Sequence, residues 1–264
     1  MYAFAYHRPA SLADAMALLS NAEDARPLAG GHTLLPTLKQ RLAQPSDLVD
    51  LGAISELRGI REEAGGITIG AMTTHAAVAH DAAVRRVIPA LADLAEGIGD
   101  RQVRNRGTIG GSICNADPAA DYPAALVGLG ATVRTTSREI PADDFFTGMF
   151  ETALEAGELV REVHFPKPDK AAYAKFANPA SRYAVVGVFV AQAGGGVRVA
   201  VTGAAPSVFR WTDAETALSG NWAASALDAL QVDADGLNSD IHASAEYRAN
   251  LVKVMARRAL AAAG

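Results

Sequence analysis

Apolar and polar positions divide the chain into short strands and helices, and the pattern changes character near residue 167. Residues 2–6 are strand-like; Pro9 follows, then a helix whose apolar face is Leu12, Ala15, Met16, Leu18 and Leu19. Ser11 is placed to cap that helix, with Asp14 as the second member of a capping box. A strand at residues 26–29 runs into Gly30-Gly31. A helix is predicted from Thr33 to about Leu42, with Pro36 tolerated in its first turn. Residues 48–51 and 67–70 read as strands. Thr73 or Thr74 caps a short helix through Val78 and Ala79, and a longer helix spans residues 85–98. Residues 107–118 form a glycine-punctuated loop. A helix at 124–129 and strands at 131–135 and 159–165 complete the first part.

Pro166-Lys167-Pro168 marks a boundary. Beyond it, residues 185–191 and 197–201 form an antiparallel pair joined across Gly194-Gly195-Gly196. The chain ends in a helix with Tyr247, Leu251, Val254 and Met255 on one face. The pattern predicts a large α/β part followed by a smaller α+β part, and 264 residues suffice for two unequal units with a real core.

Composition removes several function classes. The net charge of −5 argues against a nucleic-acid partner, which a basic face would attract. The single cysteine, Cys114, allows neither an internal disulfide nor an iron–sulfur cluster. The first residues lack the basic-then-apolar order of a secretory leader. No apolar run is long enough to span a bilayer, so the expected compartment is the cytoplasm.

Two glycine loops carry the candidate chemistry. In Ala29-Gly30-Gly31-His32-Thr33-Leu34-Leu35-Pro36 a strand ends, two glycines turn the chain and a helix begins. Such a turn lets backbone N–H groups approach a phosphate, and the new helix adds unpaired N–H groups. The plainer reading is a tight turn with no ligand. The second loop is Thr108-Ile109-Gly110-Gly111-Ser112, continuing to Asp117 and Asp121. Asp121 suits ribose hydroxyls or, equally, the N-cap of a helix near Tyr122. Two such loops suggest a dinucleotide with two phosphates. Neither has the G-x-G-x-x-G spacing of a Rossmann site.

These loops, with the longer stretches Gln102-Val103-Arg104-Asn105-Arg106-Gly107 and Asp117-Pro118-Ala119-Ala120-Asp121, resemble the two FAD motifs of the flavoprotein (medium) subunits of molybdenum hydroxylases, of the aerobic carbon monoxide dehydrogenase and xanthine dehydrogenase type. The resemblance implies an α+β protein. A two-part α/β FAD-binding domain of the PCMH type (residues 1–167, divided as 1–55 and 56–167) precedes an α+β C-terminal domain (168–264) with antiparallel sheet and helices. It implies FAD as cofactor, wrapped at the pyrophosphate by the first loop and by residues 108–112. Asp121 then lies on the adenosine side, with Asp117 in the same motif. Val160 and Lys175 lie near the flavin ring, and Tyr183 covers it. Ser112, Asn178-Pro179-Ala180 and Arg182 depart from the family pattern. By the same resemblance the molybdenum cofactor and two [2Fe-2S] clusters belong to a large and a small partner subunit, in a dimer of heterotrimers. The chain then relays electrons through FAD to an external acceptor, and no side chain acts as acid or base on the organic substrate. The rival readings are a freestanding FAD-dependent oxidoreductase and a non-enzymatic nucleotide-binding module. His75 and His80, five residues apart, do not share a helix face and make a poor zinc pair. His32 sits inside the first motif, and Cys114 reads as a small buried residue. Arg101, Arg104 and Arg106 read as solvated or structurally paired charges.

Overall fold

The computed structural model describes residues 1–63 and 65–264. A three-stranded parallel sheet opens the chain, with Asp47–Asp50 between Ala5–His7 and Ala25–Leu28. The first strand begins later than the sequence predicts because only Ala5–His7 find partners, at Asp47–Val49. The helix Leu12–Asn21 covers this sheet. Ser11 caps it, with the Asp14 amide donating to Ser11 Oγ at 3.1 Å. Its predicted apolar face is the one packed inward.

A five-stranded antiparallel sheet follows, in the order Ile60–Glu63, Gly66–Gly70, Val160–Pro166, Thr132–Thr135, Glu139–Pro141. Ile60–Glu63 has no legible strand pattern because three of its four side chains are charged. The single helix expected over residues 85–98 is two helices, Ala82–Val87 and Pro89–Glu96. Pro89 has no N–H to continue the first and holds Ile88 out of the helical conformation. The stretch expected to be a loop at 107–118 contains a glycine-bearing helix, Ile109–Asn115, preceded by another helix at Arg101–Arg106. Glycine is a poor helix former, but here it permits contact: a Cβ on Gly110 would lie 2.6 Å from the Ala71 Cβ.

The C-terminal part is a four-stranded antiparallel sheet of Lys170–Ala177, Ala184–Ala193, Gly196–Thr202 and Phe209–Arg210. Gly194 and Gly195 turn the central hairpin with φ of +55° and +81°, the region that primed turns require. The strand Ala184–Ala193 is apolar on both faces. Val186, Val188 and Val190 face the helix side of the C-terminal core, while Phe189 and Ala191 join the core of the first part. A Cβ on Gly128, in the helix Tyr122–Leu129, would meet Phe189 at 2.8 Å, so the two parts interlock. In the last helix, Ala245–Ala263, the buried stripe is Arg248, Leu251, Val252, Met255, Ala256 and Ala259. That is a rotation from the predicted face. Tyr247 is exposed against Phe176, and Arg248 is buried because the carbonyls of Val185 and Gly203 and the Asp240 carboxylate meet its guanidinium. Among the described residues, no helix is long and apolar enough to cross a membrane.

Candidate functional site

The two glycine loops touch. A Cβ on Gly30 would lie 2.3 Å from the Arg106 carbonyl oxygen and 2.7 Å from the Gly107 Cα, so only glycine lets the first loop lie across the second. Gly31 takes φ +76°, which turns the chain toward the helix Leu34–Lys39. Beside this contact lies a cavity of about 530 Å³, within the range of roughly 300–1,000 Å³ usual for small-molecule sites.

The loops differ in what their amides do. Leu35 and Thr37 donate back to Gly31 and Thr33 in the first turn of the helix. Among the described residues, no acceptor meets the amides of Gly30, Gly31, His32, Thr33 or Leu34. Thr33 precedes the helix without a side-chain capping bond. In the second loop every amide from Ile109 to Ser112 has a protein acceptor. Ile109 and Gly110 donate to the carbonyls of Thr73 and Ala71, at 3.1 and 2.8 Å. Gly111 donates to Thr108 Oγ1 at 3.2 Å and Ser112 to the Thr108 carbonyl at 3.0 Å. Among the described residues the first loop thus leaves its main-chain donors without acceptors, while the second uses those from Ile109 to Ser112 within the fold. Thr108, Gly110, Gly111 and Ser112 of the second loop also line the cavity.

Of the other residues singled out from the sequence, Ala29, His32, Thr33, Leu34, Thr108, Gly110, Gly111, Asp117, Asp121, Val160 and Tyr183 line the cavity. Leu35 packs under Gly31, Pro36 lies further along the helix, and Ile109 is fully buried. Lys175 does not line the cavity. Its ammonium donates to Asp121 Oδ2 at 2.9 Å, to the Gly97 carbonyl at 2.9 Å and to the Arg182 carbonyl at 2.8 Å. The Tyr173 hydroxyl donates to the other oxygen, Asp121 Oδ1. Burial pushes the Asp121 carboxyl above the usual range, against the opposing pull of Lys175 and Tyr173. Asp117 Oδ1 accepts from the Ala119 amide at 2.9 Å, the turn its sequence position suggested.

His75 carries no binding signal in the sequence. It is 5% exposed, lines the cavity and lies against Gly107, whose added Cβ would fall 2.5 Å from Nε2. Among the described residues its Nδ1 has no hydrogen-bond partner, and desolvation, then the charges of His32 and Arg104, lower its pKa to about 4. The imidazole is therefore neutral at ordinary pH. A cavity-facing histidine on a short apolar helix has no sequence signature; only the packing of that helix on Gly107 reveals it. Cys114, expected to be buried, is exposed on the cavity wall. Arg104 is structural: it is buried and donates to the carbonyls of Ile98 and Gly99 and to Glu96.

Ser181, Arg182 and Tyr183 of the C-terminal part also line the cavity and are exposed to solvent. Burial, followed by the charges of Asp117 and Asp121, raises the Tyr183 pKa and keeps its hydroxyl protonated. An anion-binding run of free amides beside a largely apolar, aromatic-capped cavity suits a molecule with a diphosphate and a flat ring system. The residues present fit FAD.

Residues 2–168 match the family described as FAD binding domain in molybdopterin dehydrogenase, and residues 171–263 match the CO dehydrogenase flavoprotein C-terminal domain. The chain is 38% identical to the nicotine 6-hydroxylase medium subunit of Paenarthrobacter nicotinovorans, over 99% of this chain and 98% of that one. It is 39% identical to the carbon monoxide dehydrogenase medium chain of Afipia carboxidovorans, over 97% and 95%. Its fold is similar to that of a chain in reconstituted CO dehydrogenase from Oligotropha carboxidovorans, with a TM-score of 0.90, 38% identity and coverage of 99% and 98%. A chain of quinoline 2-oxidoreductase from Pseudomonas putida gives 0.89, 35%, 99% and 97%. Free main-chain donors, the interlocked two-part fold and full-length similarity agree: this chain belongs to the FAD-binding medium subunits of the molybdenum hydroxylases, and is an oxidoreductase subunit.

Proposed function

We propose that this chain relays electrons from the [2Fe-2S] clusters of a small partner subunit to an external acceptor. The molybdenum site and the organic substrate are on a large partner subunit, and the whole is a dimer of heterotrimers. Bound FAD supplies the redox chemistry; the protein supplies position and electrostatics. The observation that carries this reading is the run of amides from Gly30 to Leu34 on the wall of the cavity, which have no acceptor among the described residues. They bind the pyrophosphate, helped by the hydroxyls of Thr33 and Ser112. His75 adds a neutral polar edge, Val160 an apolar wall, and Tyr183 closes the mouth. Residues 1–167 and 168–264 act as the cofactor-binding and covering domains.

The test is rapid mixing of the complex, purified from its host, with its organic substrate. Flavin absorbance is expected to bleach in the complex and to stay unchanged in the separated FAD-loaded chain given the same substrate. Turnover by the separated chain would instead make it a freestanding oxidoreductase. A purified chain that takes up no FAD with or without its partners would overturn the reading altogether.

A further inference from the structure

Lys175 is the least expected part of the site. An ammonium has three hydrogens to donate, and here all three are taken by protein: Asp121, the Gly97 carbonyl and the Arg182 carbonyl. None is left for a flavin. The three acceptors lie on three different pieces of the molecule. Asp121 begins the helix Tyr122–Leu129, Gly97 ends the helix Pro89–Glu96, and Arg182 belongs to an exposed loop lining the cavity. The positive charge also sits where the partial negative charge of the Pro89–Glu96 helix collects. Tyr173, two residues earlier and so on the same face of the strand Lys170–Ala177, donates to the second oxygen of Asp121. Space for this hydroxyl depends on Gly187 on the neighbouring strand, where a Cβ would fall 2.2 Å from the Tyr173 oxygen.

The loop so held is strained. Arg182 has φ +62°, a left-handed conformation that side chains other than glycine adopt at a cost. Its carbonyl points to Lys175, and its guanidinium donates to the Gly99 carbonyl at 3.1 Å. The guanidinium bond ties the loop directly to the cofactor-binding part, and the carbonyl bond does so through Lys175, whose ammonium also reaches Asp121 and Gly97; both lie one residue from Tyr183.

The geometry points to Asp121, Tyr173 and Lys175 as a latch that fastens the 178–183 loop over the cavity and sets the rate at which FAD leaves. They are positioning residues, acting on the cofactor through Arg182 and Tyr183. This rests on the FAD reading above, but fails separately from it: a wild-type protein that holds FAD, with latch variants that release it no faster, sinks the latch alone.

The experiment is FAD release from the FAD-loaded protein as purified from its host, followed by the rise of free-flavin fluorescence after dilution. Asp121→Asn, Lys175→Met and the double variant are compared well below their unfolding temperatures. Breaking a buried pair at either end removes the same fastening, so each single variant is expected to release FAD about tenfold faster, and the double variant no faster than either. If the two residues touch the cofactor independently, the factors multiply to about a hundredfold in the double variant, and the latch is refuted. Tyr173→Phe removes one hydrogen bond without changing volume and serves if the charge variants do not fold. It is expected to speed release by a few-fold, about the worth of one hydrogen bond to a charged group. Release at the wild-type rate in Tyr173→Phe or in either charge variant also overturns the proposal.

Discussion

The two glycine loops look alike in sequence and do opposite work in the structure. From Gly30 to Leu34 the main chain has no protein acceptor among the described residues. From Ile109 to Ser112 every amide is held by Thr73, Ala71 or Thr108. On the proposed reading, the first loop receives the pyrophosphate and the second supports it. Paired glycines after a strand therefore do not distinguish a ligand-binding turn from a packing one; the hydrogen-bond partners of the amides do.

The sharpest way to break this comparison is to add one methyl group to each loop. Gly30→Ala drives a Cβ into the Arg106 carbonyl at 2.3 Å and parts the two loops. Flavin content per folded molecule is expected to fall to background, as read from absorbance of the purified variant. Gly110→Ala meets Ala71 at 2.6 Å and is expected to cost about 3 kcal/mol of stability by denaturant titration. The molecules that remain folded keep their flavin. A Gly110→Ala protein with unchanged stability and no FAD would dissolve the distinction.

The foundation has its own sensitivity to pH. His75 is neutral in the fold because burial depresses its pKa from 6.5 to about 4. Between those values the unfolded chain binds a proton that the folded chain does not, so stability falls as the pH is lowered through that window. The loss reaches up to about 3 kcal/mol, since each tenfold change in proton affinity is worth about 1.4 kcal/mol. His75→Gln is expected to flatten the slope of stability against pH between 6.5 and 4; an unchanged slope would assign it to other groups.

Smaller effects sharpen the same contrast. Thr108→Ala removes the cap of the helix Ile109–Asn115 and is expected to lower stability by about 1 kcal/mol, with FAD affinity little changed. Ser112→Ala, which keeps the backbone and removes only a hydroxyl on the cavity wall, is expected to weaken FAD binding by a few-fold in a fluorescence titration. Stability should be unaltered.

Much of this is legible in the sequence. The cap at Ser11, the Gly194-Gly195 hairpin and the first glycine loop announce themselves through local chemistry, because the residues that decide them are neighbours in the chain. What stays hidden depends on distant partners. The helix Ile109–Asn115 reads as a loop because its glycines are there for close neighbours, Gly110 for Ala71 and Gly111 for Thr108 and Ala29, two of them far back in the sequence. Pro89 is a legible break that the apolar periodicity on either side masks. Lys175 and Asp121 are 54 residues apart, and nothing in either neighbourhood signals that they meet. Arg248 replaces Tyr247 on the buried face of the last helix because carbonyls and Asp240 stand ready for its charge.

The strand Ala184–Ala193 buries one side chain set in each half of the molecule. Swinging the halves apart would bare Phe189 and Ala191 on one side and the Gly128 helix that receives them on the other, which opposes a clamshell motion. If the latch holds, FAD leaves by a small local opening at the 178–183 loop. For the same reason, severing the chain near Pro168 should yield two sticky fragments that rescue one another only when they are made together.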